Sequence, residues 1–173
     1  MYSVFSVVNM GLLDTAVAPF QAFLNALFSA RVRVEGDSMK PALEDGQSVL
    51  VVRPVFPWNR LQRGDVVVLN PPGSPNPGDW FIKRIAGMPD EEIVLRGGRV
   101  YVDDLLLAGP PAAAESPGCD RREWWNGPDE YFVLGDNPAD SRDSRAFGPV
   151  PAQRIIGRVW LRCWPPKTWG RVR

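Results

Sequence analysis

Ser38 sits in the run Val34-Glu35-Gly36-Asp37-Ser38-Met39-Lys40-Pro41-Ala42-Leu43. The run reads as a short apolar strand that breaks at a glycine, presents one serine and turns at a proline. Gly36 permits backbone conformations that other residues resist, and Pro41 stops a helix from running through. A serine held on such a turn is placed to attack an electrophile. Taken alone, the run reads first as a polar turn. A nucleophilic serine needs a base, and the chain has no histidine. That absence removes Ser-His-Asp and Cys-His catalysis and leaves lysine as the main candidate. It also removes most zinc sites, because the two cysteines, Cys119 and Cys163, cannot build one alone.

Lys83 is the lysine in a setting that suits a base. It lies in Asp79-Trp80-Phe81-Ile82-Lys83-Arg84-Ile85-Ala86, and alternate residues of a strand share a face. Phe81, Lys83 and Ile85 point one way, and Ile82 and Arg84 the other. A lysine between two large apolar residues is partly desolvated, which lowers its pKa. The plainer alternative is a lysine that snorkels to solvent from a half-buried strand. Arg84 is free to be a surface or structural cation.

The elements that must position these residues are short strands. Gln47–Arg53 and Val66–Leu69 are rich in β-branched residues, and Val66–Leu69 reads as buried on both faces. Residues 54–63 form a loop, and residues 71–78 a proline-glycine connector. Glu91–Arg96, Gly97-Gly98 and Arg99–Asp103 read as a β-hairpin with a two-glycine turn, which Leu105–Leu107 extends. Residues 108–130 read as a long surface loop that folds Trp124 and Trp125 back onto the body. Tyr131–Leu134 is a strand that runs into a dense polar loop, 135–151. Arg154–Trp164 is the last long strand, closed by Pro165-Pro166.

The bulk numbers fit one globular domain. The chain has 173 residues, of which 45% are hydrophobic and 23% charged. Its formal net charge is zero, so no basic field recommends a nucleic-acid partner. Eighteen prolines and sixteen glycines argue for many turns and short strands. A disulfide between Cys119 and Cys163 would need an oxidising compartment; the tryptophan-rich setting of Cys163 argues for packing instead.

Residues 1–30 form a separate N-terminal segment with no Lys or Arg and one acid, Asp14. Val17, Phe20, Phe23, Leu24, Leu27 and Phe28 recur at helical spacing, and Gln21 and Asn25 form a polar seam. The charge-free run 15–30 would span about 24 Å as a helix, against about 30 Å for a hydrocarbon core. Three readings fit: a short membrane anchor that includes Asp14, a helix lying in the interface, and a core or dimer helix. An uncharged start argues against a cleavable secretory signal. By charge alone, Arg31 and Arg33 would put that end of the segment in the cytoplasm.

Four stretches occur together and in order. They are Gly36-Asp37-Ser38-Met39-x-Pro41; Arg63-Gly64-Asp65-Val66-Val67; Lys83-Arg84-Ile85-Ala86-Gly87-Met88-Pro89; and Gly135-Asp136-Asn137 followed by Ser141-x-Asp143-Ser144-Arg145, with Phe147-Gly148-x-Val150. Over roughly residues 32–162 this set resembles the type I signal peptidases, membrane-bound serine proteases that remove secretory signal peptides. The Asp37-Ser38-Met39 form looks closer to the Gram-positive and organellar branch. The resemblance implies a mainly β, antiparallel, partly barrel-like fold with an N-terminal helix. It divides the chain into an anchor or interfacial helix, 1–30, and a catalytic domain, 31–173. It implies Ser38 as nucleophile and Lys83 as general base. Ser141 would orient the lysine amine, Asp143 and Arg145 would form a supporting ion pair, and Asp136 and Asn137 would fix the loop. The Ser38 N–H would serve the oxyanion, and Gly36, where some relatives carry a hydroxyl, leaves that task to backbone donors.

The implied partners are preproteins with Ala-x-Ala cleavage sites and membrane lipid, with the catalytic domain on the non-cytoplasmic side. No metal or organic cofactor is implied. Two departures stand out. The family usually reads Pro-Gly-Asp after the lysine strand, and here it is Pro89-Asp90-Glu91, which implies a changed turn. The family anchor usually has basic residues before it, and here there are none. Two other readings remain: a non-catalytic β-barrel binding module, and a self-cleaving Ser–Lys regulator. The second needs a DNA-binding module, and residues 1–30 offer no basic helix-turn-helix.

For the Ser–Lys chemistry, Lys83 must be neutral. Its reference pKa of about 10.4 must fall by about 2.5 to leave it mostly neutral near pH 8, about 3.4 kcal/mol of differential stabilisation. Burial against Phe81 and Ile85, and apolar surroundings near a bilayer, are the available sources.

Overall fold

A computed structural model describes residues 21, 24, 25, 27–53, 60–76, 78–107 and 121–172. Most of the apolar N-terminal segment, most of the loop 54–63, residues 108–120 and Cys119 lie outside the described residues. Gln21, Leu24, Asn25 and Leu27 are helical, in keeping with the spacing read there. Among the described residues, no helix is long and apolar enough to cross a membrane.

Among the described residues twelve strands form two sheets, and every pairing is antiparallel. The strands are β1 (Ser29–Arg33), β2 (Ser48–Val52), β3 (Val66–Leu69), β4 (Phe81–Gly87), β5 (Glu92–Arg96), β6 (Arg99–Val102), β7 (Leu105–Leu106), β8 (Arg122–Trp125), β9 (Glu130–Leu134), β10 (Val150–Pro151), β11 (Ile155–Trp164) and β12 (Gly170–Arg171). The larger sheet runs β1-β2-β11-β3-β4-β9-β10, with β12 added to β11; the smaller runs β7-β6-β5-β8. Among the described residues the larger sheet is open, since β1 and β10 end it without pairing to each other. This is the partly barrel-like β architecture that the motifs implied.

β3 explains why the site is rigid. All four of its residues are buried. Val66 and Val68 join one core cluster with Val49, Val51, Met39 and Leu43, while Val67 and Leu69 join another with Ile85, Val133 and Ile155. A continuous β-branched run is what a strand covered on both faces requires. β4 pairs with β3 in the register Val67↔Lys83 and Leu69↔Phe81. Lys83 therefore projects from the face that packs the second cluster. A third cluster, built on Ile93, Phe132 and Ala86, joins the two sheets.

The hairpin forms as the spacing predicts, with Arg96↔Arg99 as its last pair and Gly97 and Gly98 at φ 55° and 70°. Two local expectations change. Residues 122–125 are not loop but strand β8, paired with β5 through Ile93↔Trp124 and Glu92↔Trp125. The polar Arg122 and Glu123 hid it. Trp124 does fold back, with its ring 5.1 Å from Phe132, but Trp125 stays 65% exposed.

The second change is at Pro89-Asp90-Glu91. Loss of the glycine has not removed the left-handed turn, because Asp90 itself adopts φ 62°. Its N–H donates to the Asn126 carbonyl at 3.2 Å, so the chain path is held from outside. Aspartate tolerates this region better than most residues but with some strain. Asp90→Gly is expected to raise stability by about 0.5–1 kcal/mol, the relief exceeding the entropy it adds to the unfolded chain. Asp90→Val is expected to lower it by about 1–2 kcal/mol. Urea midpoints would check both, and a loss of stability in Asp90→Gly would overturn the strain argument.

Candidate active site

The Ser38 turn is pinned from below. Met39 and Leu43 are 1% and 0% exposed in the first core cluster, so the turn residues between β1 and β2 cannot drift. Gly36 sits at φ 81°, and its N–H donates to Asp45 Oδ1 at 2.9 Å. Gly36 thus serves the turn, and its N–H is committed elsewhere than to an oxyanion. The Ser38 N–H has no acceptor among the described residues.

Lys83 meets this turn from β4. Its Nζ lies 2.7 Å from Ser38 Oγ, across 45 positions of sequence. The lysine is 4% exposed, and its Nζ stands 5.4 Å from the Phe81 ring centre. Burial pushes its pKa down, the Asp143 carboxylate opposes this, and the Arg145 guanidinium adds to it; the net shift is downward. Protonated, the amine donates to Ser38 Oγ. Neutral, it offers a lone pair to the hydroxyl proton.

A third segment closes the site. Gly135 follows β9, and its N–H donates to Asp143 Oδ2 at 2.9 Å. Asn137 clamps the serine turn twice: its N–H donates to the Ser38 carbonyl at 3.0 Å, and Nδ2 to the Asp37 carbonyl at 3.2 Å. Asp136 takes both Nε and Nη2 of Arg84, at 2.7 and 2.6 Å, while Arg84 Nη1 donates to the Gly64 carbonyl at 2.7 Å. Arg84 is therefore a structural cation that ties β4 to the Arg63-Gly64-Asp65 turn. Arg63 reaches the Ala86 carbonyl and Glu91 from that same turn.

Asp143 is fully buried and organises what lies beneath. Arg145 donates to it through Nε and Nη2, at 2.8 and 2.7 Å. The Ser141 hydroxyl donates to Asp143 Oδ2 at 2.8 Å. Burial pushes the Asp143 carboxyl up, but the hydrogen bonds from Arg145, Gly135 and Ser141 outweigh it, and its pKa is lowered. The expected bond from Ser141 to the lysine amine is not made; the hydroxyl is spent on the carboxylate, which is the stronger acceptor. Asp143 also caps the one-turn helix Ser144–Phe147 by accepting from the Arg145 N–H. Ser144 Oγ accepts from the Val133 N–H at 2.9 Å and fixes the end of β9.

Every candidate residue named from the sequence falls in this one assembly. Sequence reasoning offered Arg84 as a surface or structural cation, and the structure makes it structural; it gave no positioning role to Gly135 or Ser144. All three stand inside the quoted motifs, but the Arg84 partner Asp136 lies 52 positions away, and the bonds of Gly135 to Asp143 and of Ser144 to Val133 depend on how the loop after β9 folds back.

The two shifts work in opposite senses with pH. Native Lys83 resists the proton that the unfolded chain accepts, so its burial costs stability as pH falls below 10.5 and the cost levels off below its native value. Asp143 supports the fold above its unfolded value, and that support is lost as pH falls through its lowered native one. For activity that needs neutral Lys83, kcat/KM is expected to rise with pH through a limb centred below 10.5. A pH–rate profile checks this; a limb at the ordinary lysine value would overturn it.

A family model described as signal peptidase, peptidase S26, matches residues 7–164. A probable signal peptidase I-2 of a Synechocystis strain is 35% identical over 148 residues, covering 80% of this chain and 65% of that protein. Signal peptidase I of Leptolyngbya laminosa is 35% identical over 161 residues, covering 84% of this chain and 74% of that one. Signal peptidase IB of Staphylococcus aureus is 29% identical over 149 residues, 76% of each chain. A crystal structure of a signal peptidase I from Enterococcus faecalis shares 26% identity at a TM-score of 0.45, over 58% of this chain and 97% of that one. With the family match spanning all four motifs, the chain belongs to the signal peptidase family of serine peptidases, peptidase S26.

Proposed function

We propose that this chain removes N-terminal signal peptides from exported preproteins, with Ser38 as nucleophile and Lys83 as general base. The observation that carries the reading is the 2.7 Å contact between Ser38 Oγ and a buried lysine amine whose pKa is lowered. Neutral Lys83 takes the Ser38 proton as Oγ attacks the scissile carbonyl. The Ser38 N–H faces the developing oxyanion, where a fixed donor is worth most. The amide C–N bond then breaks, Lys83 passes its proton to the leaving amine, and water hydrolyses the Ser38 ester with Lys83 again as base. Family membership supports signal peptides as the substrate class. Small residues in an Ala-x-Ala pattern mark secretory cleavage sites, and an extended segment is recognised by pairing with a strand edge.

The chain acts at a membrane, through residues 1–30, with the catalytic domain on the non-cytoplasmic side. The apolar helical spacing of that segment and the exposed Leu27 and Phe28 at its end support this. The test is incubation of the full chain, in detergent, with a preprotein carrying one Ala-x-Ala site, read by product mass. A cut after that site is expected. No cut by folded protein, across several preproteins with lipid added, would favour a β-barrel binding module.

A further inference from the structure

A second site lies on the outer face of the larger sheet, at its β1 end. A cleft of about 410 Å³ is lined by Arg31, Arg33, Gly46, Ser48 and Trp164. Its geometry follows from register. Arg33 pairs with Ser48, and Ser48 pairs with Trp164, so these three side chains stand in a row across β1, β2 and β11. Arg31, two residues before Arg33, shares its face. Val32, on the opposite face, packs against the first core cluster.

Among the described residues neither Arg31 nor Arg33 makes an ion pair, and no carboxylate lines the cleft they share. Arg31 Nη2 donates to Ser48 Oγ at 3.1 Å, which orients its guanidinium along the cleft. Two guanidinium groups and a serine hydroxyl around one space are a donor set for a tetrahedral oxyanion, and arginine suits phosphate above other cations.

The surroundings identify the source of that phosphate. Leu27 and Phe28, just before β1, are 63% and 56% exposed, and Trp164 and Trp169 are 50% and 66% exposed. Trp164 lines the cleft itself, and Leu27 and Phe28 shortly precede Arg31 in the chain; an exposed indole beside two basic side chains matches the boundary between acyl chains and headgroups. On the proposed non-cytoplasmic side, Arg31 and Arg33 also run against the charge bias of membrane segments. A role in holding an anionic headgroup removes that conflict.

We propose that the Arg31–Arg33–Ser48–Trp164 cleft binds the phosphate of an anionic phospholipid and seats the catalytic domain on the membrane. This deepens the membrane reading above and rests on it. The test is binding of full-length Ser38→Ala protein to vesicles of phosphatidylcholine alone, or of phosphatidylcholine mixed with phosphatidylglycerol. Wild-type cleavage of a soluble Ala-x-Ala peptide is followed separately.

Each arginine is expected to contribute about fivefold to binding at the anionic surface, so Arg31→Gln/Arg33→Gln should lose roughly 25- to 30-fold on phosphatidylglycerol vesicles. Arg96→Gln/Arg99→Gln, which removes equal charge from the hairpin end, should lose less than about threefold. Equal losses in the two double variants would overturn the cleft as the site. No preference for phosphatidylglycerol in the parent protein, with thermal protection by inorganic phosphate that depends on Arg31 and Arg33, would overturn the lipid source. Intact headgroup binding with no peptide cleavage would instead count against the peptidase reading and leave the cleft standing.

Discussion

Ser38→Ala is expected to abolish cleavage of an Ala-x-Ala preprotein, with a loss of at least about 10⁴-fold in kcat at unchanged fold. The hydroxyl is the one hydrogen-bond partner of Lys83 Nζ among the described residues, at 2.7 Å, and its removal leaves binding and the oxyanion donor alone. Lys83→Ala is expected to lose a comparable factor, because residues that act as a unit fail together rather than additively. Lys83→Arg is the more telling variant. It keeps the positive charge that Asp143 faces, but a guanidinium does not give up its proton at usable pH. It should be as inactive as Lys83→Ala. Ester substrates, with a better leaving group, would show whether residual acylation survives. Cleavage at the same bond by Ser38→Ala would end the mechanism. A Lys83→Arg enzyme within tenfold of wild type would end the role of the lysine as base.

Gly135→Ala is expected to lower kcat by about 10²-fold without unfolding the protein. A Cβ at this position would stand 2.7 Å from the Ser38 carbonyl oxygen and 2.6 Å from Ser141 Cβ. Neither neighbour can yield freely. The Ser38 carbonyl accepts from the Asn137 N–H at 3.0 Å, and Ser141 is held to the buried Asp143. The added methyl must therefore push the serine turn away from Lys83 or pull the Gly135 N–H off Asp143. Overpacking of this kind costs about 1–3 kcal/mol, which a measured melting curve would register. Gly157→Ala separates the two effects. Its Cβ would meet the Val52 carbonyl oxygen at 2.6 Å, in β2 and away from the dyad. It should lose stability but keep its kcat at low temperature. A Gly135→Ala enzyme within threefold of wild type would show that the Ser38 turn is not set by this contact.

Much of this was legible in residue order. The β-branched run Val66–Leu69 and the Gly97-Gly98 hairpin formed as read, because each reports a local demand: burial on both faces, or a turn with positive φ. Lys83 was legible because strand alternation set it between Phe81 and Ile85. Strand β8 was not, since Arg122-Glu123 is polar and its pairing with β5 is decided by a partner some 30 positions away. The turn at Asp90 was read as altered for the same kind of reason. A missing glycine shows local preference, while the Asn126 carbonyl that holds the turn comes from elsewhere.

Residue order alone carried the chemistry on offer: a serine on a tight turn, no histidine, one lysine among apolar neighbours, and an acid and an arginine two residues apart in a polar loop. Those are facts of composition and short-range spacing, which alternation and turn propensity translate directly. Which groups touch was settled by the folded sheet. It brought Lys83 to Ser38, gave the Ser141 hydroxyl to Asp143 rather than to the lysine, and used Asn137 to clamp the serine turn. It also set Arg31 and Arg33 beside Trp164 on the outer face. The physical reason is that a hydrogen bond is settled within tenths of an ångström, while strand register across a sheet is settled by the packing of the whole core.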